Sequence, residues 1–144
     1  MTTKEYHFNG FTINTDKNKL NIPAIHEYLS TRSYWAAGRT LDCVEKSIEN
    51  SLCFGVYEGE TQIGFARVVT DFATFSWLCD VFILADYRGR GLGKWLISTL
   101  VEYHGIKEST KFFLATRDAH SLYSQYGGFE NITMPEKLMV KSGK

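Results

Sequence analysis

No charge of either sign is in excess in this sequence. Sixteen Lys and Arg residues balance sixteen Asp and Glu residues, so the formal net charge at pH 7 is zero. No global field therefore draws the chain to nucleic acid or to an anionic membrane, and neither partner is expected. Cysteine is scarce: Cys43, Cys53 and Cys79 are an odd number without metal-ligand spacing. Cys53 and Cys79 fall in apolar, strand-like runs and read as reduced, buried hydrophobes. The 4 histidines form no H-x-x-x-H pair, and no metal is expected. No apolar run is long and pure enough to cross a bilayer, and the opening MTTKEYHFNG lacks the apolar centre of a signal peptide. A cytoplasmic protein is the expectation. Without repeats, linkers or low-complexity segments, the 144 residues read as a single domain, 1–144. A chain of that length buries about two-thirds of the surface it would expose unfolded.

The most informative stretch runs from Phe75 to Leu100, FSWLCDVFILADYRGRGLGKWLISTL. An apolar run passes through a charged turn into Arg88-Gly89-Arg90-Gly91-Leu92-Gly93, and a helical pattern follows at once. The first N–H groups of a helix have no partner within it, and its dipole favours negative charge there. Two glycines one residue apart let a ligand approach that backbone with no Cβ in the way. The stretch reads as a diphosphate site. Asp80 stands out as a carboxylate in an otherwise apolar strand.

Around this stretch the pattern predicts an α/β sandwich of order β-α-α-β-β-β-α-β-α-β. Phe8 to Ile13 reads as a first strand. Asn21 and Pro23 open a helix that runs to about Leu29. A second helix begins near Thr40, with Leu41, Val44 and Ile48 on one face. Two strands, Leu52 to Tyr57 and Gln62 to Val69, flank the turn Glu58-Gly59-Glu60-Thr61. In the strand Phe75 to Leu84, odd positions from Phe75 to Ile83 share one face, and Leu78 and Phe82 lie on the other. A helix over Leu92 to Tyr103 follows. Lys111 to Thr116 reads as a short strand, and Asp118 to Tyr126 as a helix capped by Asp118 and stopped by Gly127-Gly128. Leu138 to Val140 is expected to be a last strand.

Two familiar phosphate motifs fail on the letters. The P-loop needs a Ser or Thr where Trp95 follows Gly93-Lys94. The dinucleotide fingerprint needs a third glycine where Lys94, Trp95 and Leu96 stand, and it belongs in the first βα unit. Arg88-x-x-Gly91-x-Gly93 after a strand instead resembles the Q/R-x-x-G-x-G/A acetyl-CoA motif of the GNAT (general amine N-acetyltransferase) superfamily. The resemblance extends over Asp80 to Leu96. It returns at Ala119-His120-Ser121-Leu122-Tyr123, similar to A-x-x-L-Y, and at Gly127-Gly128-Phe129-Glu130, similar to G-F-x.

The resemblance implies a mixed, mostly antiparallel central sheet flanked by helices, and acetyl-CoA as co-substrate. Backbone N–H groups from Arg88 through Gly89, Arg90, Gly91, Leu92, Gly93 and Lys94 would hold its diphosphate. Val81, Phe82 and Ile83 would pair with the pantetheine arm. Tyr123 stands where the family often has a general acid for the departing thiolate. A phenol near pKa 10 can return a proton to a thiolate whose acid has pKa about 8.5. Thr116 replaces a frequent Asn and could bond the pantetheine only through its hydroxyl. One extra glycine separates Tyr123 from Phe129, which could shift the helix end and the edge of the acceptor pocket.

Acetylation needs a neutral amine, although alkylamines have pKa values near 10.4. Asp80 is the first candidate for the base; its alternative is a structural carboxylate bonded to loop N–H groups or to an arginine, with Arg67 as one such partner. Glu27 and Asp42 are further carboxylates near the acceptor loop. Asp118 reads as a helix cap and His120 as a surface residue. The loop Ser33 to Arg39 falls where the family shapes its acceptor pocket. Tyr34 and Trp35 could wall in a cationic or aromatic amine, and Arg39 could bind an acceptor carboxylate or a CoA phosphate. The alternative packs Trp35 on the core and pairs Arg39 at the surface. With nothing near Cys53 or Cys79 to activate a thiol, direct transfer to a primary amine of a small molecule or peptide terminus is expected, without a covalent intermediate. A non-catalytic acyl-CoA sensor on the same fold is the alternative, and the resemblance also admits a homodimer.

Overall fold

A computed structural model describes residues 2–143. Its elements are β1 (Glu5–Phe8), β2 (Phe11–Asn14), α1 (Ile22–Arg32), α2 (Leu41–Glu49), β3 (Leu52–Glu58), β4 (Thr61–Thr70), β5 (Phe75–Ile83), α3 (Leu92–Val101), β6 (Lys111–Leu114) and α4 (His120–Gly127). The six strands lie in chain order in one sheet. All neighbours are antiparallel except β5 and β6, which are parallel. The mixed, mostly antiparallel sheet flanked by helices is the one expected.

The element order differs at both ends. Phe8 to Ile13 is not one strand: Asn9 (φ 49°) and Gly10 (φ 82°) form a tight turn between β1 and β2. Two positive φ values in succession suit an Asn-Gly hairpin whose twist matches its strands. Leu138 to Val140 forms no strand. Met139 and Val140 are 97% and 89% exposed, and no backbone group pairs with them among the described residues.

Local chemistry fixes both first helices. The Asn21 side chain accepts from the Ala24 N–H at 3.1 Å, and Thr40 accepts from the Cys43 N–H at 3.2 Å. α1 and α2 cover one face of the sheet, burying Ile25, Leu29, Val44 and Ile48 against Cys53, Phe65 and Phe82. α3 covers the other, burying Leu92, Leu96, Ile97 and Leu100 against Phe54, Val56, Ala66, Val68 and Leu78.

Two irregularities of β5 create the site. First, its pairing with β4 slips: Phe65 faces Phe82, but Arg67 faces Cys79, so β5 carries one extra residue. Asp80, at φ 54°, marks this bulge. An extra residue inverts the alternation beyond it. Leu78 accordingly packs under α3 while Phe82 packs under α1, and Val81 and Ile83 lie toward the α3 side. The expected face shared by all odd positions is therefore broken at Asp80. Second, β6 pairs only Lys111–Leu114 with Phe75–Leu78 and stops short of the expected Thr116. β5 continues through Ile83 with no strand beside it on that edge among the described residues.

Candidate active site

At the end of β5 the chain turns into α3 through Gly89 (φ 81°) and Gly91 (φ 79°), both left-handed. A residue with a Cβ would be strained at either position. Gly91 is the helix N-cap and offers no side-chain bond, and the first helical bond runs from the Trp95 N–H to Gly91 O. The N–H groups of Gly89 through Lys94 thus have no protein acceptor among the described residues. Six successive free donors at a helix start form a nest for an anion. Arg88 contributes differently from the expectation. Its N–H bonds Ala85 O at 3.2 Å, and its guanidinium bonds Ile83 O at 3.1 Å and the Tyr28 hydroxyl at 2.9 Å. Arg88 braces the turn against β5 and α1. Arg90 lies over the Tyr87 ring and Lys94 over the Tyr126 ring.

A cleft of about 760 Å³ opens where β5 and β6 part. Val81, Phe82, Ile83, Arg88 and Gly93 line one end, Thr116, Leu122 and Tyr123 one side, and Trp35, Arg39, Arg67 and Asp80 the other end. Phe82 turns its ring away onto Tyr28, stacked at 3.9 Å, which leaves the β5 backbone to form the cleft wall. Thr116 Oγ1 accepts the Ala119 N–H at 3.1 Å, so its own O–H remains a donor. That bond replaces the expected cap: Ala119 is the N-cap of α4, and Asp118, which is exposed, bonds no helix N–H. The extra glycine is absorbed at the other end. α4 closes on Gly127, against which the Phe129 ring lies, and Gly128 (φ 73°) takes the left-handed cap.

Tyr123 is half-buried in the cleft wall, and its hydroxyl has no partner among the described residues. Burial, with smaller effects of Tyr34 and Asp118, pushes its pKa from 10.0 up to about 12. The phenol is a weaker acid than its free counterpart and stays protonated over the whole physiological range.

Asp80, 3% exposed, is held by three donors. Arg39 Nη1 and Arg67 Nε donate to Oδ2 at 2.8 and 2.9 Å, and Trp35 Nε1 donates to Oδ1 at 2.9 Å. Arg67 is pinned further by Ser51 Oγ at 2.9 Å. The bulge makes this possible, because it turns Asp80 toward the same face as Arg67, where the acceptor loop lies. The loop is fixed in turn. Ser33 Oγ donates to Leu29 O and accepts the Ala36 N–H, and the Gly38 N–H reaches Ser30 O.

Of the carboxylate's two sequence alternatives, bonding to arginine is thus present, while Oδ1 accepts a single bond, from Trp35, among the described residues. Arg39 pairs with a buried partner, not at the surface. Trp35 neither packs in the core nor stands free: it is 40% exposed with its N–H on Asp80. Tyr34 has its ring face covered by the Arg117 guanidinium at 3.8 Å, and its hydroxyl accepts the Arg117 N–H at 3.0 Å. Glu27, Asp42 and His120 are exposed and outside the cleft lining. Sequence reasoning missed Arg117 and Ser51. The only signal for Arg117 is its place directly after Thr116.

A sheet parted beside a helix-start anion nest, with a phenol in the gap, is the arrangement that the resemblance to acetyltransferases implies. Residues 49–130 match the model of the acetyltransferase (GNAT) domain. A crystal structure of a GNAT-family protein from Xanthomonas campestris pv. campestris superposes with a TM-score of 0.90 at 39% identity, covering 95% of this chain and 96% of that one. A Gibberella zeae protein designated a candidate acetyltransferase is 30% identical over 141 residues, 84% of this chain and 80% of its own. Glucosamine-6-phosphate N-acetyltransferase from Arabidopsis thaliana, at 16% identity and a TM-score of 0.59 with full coverage of both chains, shares the fold. The chain belongs to the GNAT family of acetyltransferases.

Proposed function

We propose that the protein moves the acetyl group of acetyl-CoA directly to a primary amine of a small molecule or a peptide terminus, in a ternary complex. The observation that supports this best is that two cavities adjoin. The one under the glycine turn and the cleft beside Tyr123 share Ile83, Arg88, Gly93 and Leu122, which brings free N–H groups suited to a diphosphate next to the unpaired β5 edge, suited to a pantetheine arm, and to Tyr123.

In the proposed reaction the amine nitrogen attacks the thioester carbonyl carbon, an N–C bond forms, and the C–S bond breaks. Tyr123 gives its proton to the departing sulfur and regains one from solvent. Asp80 takes the amine proton on Oδ1 and passes it to water. Burial lifts Cys79 to about 11 and Cys53 to about 12, so neither thiol is a ready nucleophile, which favours direct transfer.

Calorimetry with acetyl-CoA, CoA and NAD tests the reading, followed by CoA release over a panel of amines. Binding of both CoA species without NAD, and release with some amine, is expected. Acetyl-CoA binding with no release across a broad panel would favour the sensor alternative. No binding would overturn the site.

A further inference from the structure

Asp80, Arg39 and Arg67 together carry one surplus positive charge at the acceptor-loop end of the cleft, with side chains 1%, 22% and 13% exposed. Arg67 is held from both ends by Asp80 and Ser51. Arg39 is held only through Nη1; its Nε and Nη2 donors have no partner among the described residues, and it lines the cleft. A guanidinium with open donors, fixed in place and largely desolvated, is suited to a carboxylate. The other arginines at this end do not change the local surplus, since Arg32 and Arg117 sit beside exposed Glu27 and Asp118.

On the aromatic side of the same loop, Arg117 already occupies a face of Tyr34. A second ammonium group, as in a polyamine, would meet the surplus positive charge. A phosphate dianion would meet Asp80 with more charge than the single surplus balances.

We infer that the acceptor is a primary amine carrying a carboxylate, an amino acid or short peptide, with Arg39 as the residue that binds the carboxylate. This rests on the transferase reading for its biological meaning, but it can be tested apart from it. Calorimetry without acetyl-CoA would compare L-amino acids and dipeptides with their C-terminal amides, with O-phosphoethanolamine and spermidine alongside. Some acids are expected to bind roughly tenfold or more tightly than their amides, the effect of one charge-assisted pair. Arg39→Gln should abolish that preference while leaving acetyl-CoA binding unchanged. Arg39→Lys should restore part of it.

If Arg39→Gln fails to fold, the wild-type comparison of acid with amide still decides. Equal binding of acids and amides, no binding of any acid, or tighter binding of spermidine or O-phosphoethanolamine would each overturn the inference. Failure of acetyl-CoA to bind would overturn the transferase reading alone.

Discussion

The two ends of the cleft are made from different materials. The glycine-turn end is built of backbone: six N–H groups aimed by two left-handed glycines and a helix start. The Asp80 end is built of side chains that come from α1's loop, β4 and β5 and meet across sequence separations of 41 and 13 residues. A backbone site tolerates almost any side chain that points away from it, and depends on conformation. A side-chain site depends on identity, charge and the packing of each member. One fold can thereby hold a common co-substrate with backbone and vary its acceptor with side chains.

Tyr123, between the two ends, gives the largest expected effect. Tyr123→Phe removes the proton donor and leaves the ring that packs against Phe129. Transfer should fall by roughly 10²- to 10⁴-fold, with the Kd of acetyl-CoA unchanged by calorimetry. Unchanged turnover would remove Tyr123 from the acid role and leave the ends with no chemical link between them.

The side-chain end should break through charge. Asp80→Asn keeps the left-handed backbone, which Asn tolerates, and nearly the same volume, but leaves Arg39 and Arg67 without a counter-charge. Removing one partner of a buried pair costs about 3 kcal/mol at the low end of the usual range, and Arg39's partial exposure favours that end. Urea denaturation should show this as a lower midpoint at unchanged slope. An undiminished midpoint would mean that the three-residue cluster contributes nothing to stability.

The backbone end should break through conformation. Gly91→Glu puts a left-handed non-glycine residue and a negative charge at the helix start, in otherwise open space. Acetyl-CoA affinity should drop at least about tenfold, with left-handed strain alone worth about 1–2 kcal/mol. Gly91→Ala separates the two causes, since it carries the strain without the charge. Undiminished affinity in Gly91→Glu would move the diphosphate elsewhere.

The same division explains what the sequence discloses. The glycine spacing, the helix caps at Asn21 and Thr40, and the hairpin between β3 and β4 are local, and each is legible from a few neighbouring letters. The β1–β2 turn is carried by Asn9-Gly10, a strong local signal, yet strands of four residues are too short to show a period around it. The bulge at Asp80 has no letter of its own. It appears in the sequence only as a carboxylate interrupting an apolar run, and its consequence, the inverted alternation, emerges when β4 supplies the register. Likewise Thr116 displaces Asp118 as the group that meets the start of α4, because β6 ends two residues early and brings the Thr116 hydroxyl to the Ala119 N–H.

Cys79 gives the smallest effect and the sharpest check on how the two ends cooperate. It lines the cleft beside Asp80, so a covalent route would use it if any cysteine. Burial outweighs the lowering influence of Arg67 and Arg39 and lifts the thiol from 9.0 to about 11. A raised pKa in the folded state favours the neutral thiol. The associated stability is fully present below about pH 9 and is lost as pH rises through 11, and Cys53, lifted to about 12, adds to the same trend. The urea midpoint should therefore be insensitive to these thiols between pH 7 and 8.5 and fall above pH 9. In Cys79→Ala that alkaline fall should be shallower, while turnover at pH 8 stays within about twofold, since a direct transfer needs no thiolate. A loss of turnover by two orders of magnitude in Cys79→Ala, with acetyl-CoA binding intact, would instead place an acetyl-cysteine between the backbone end and the side-chain end.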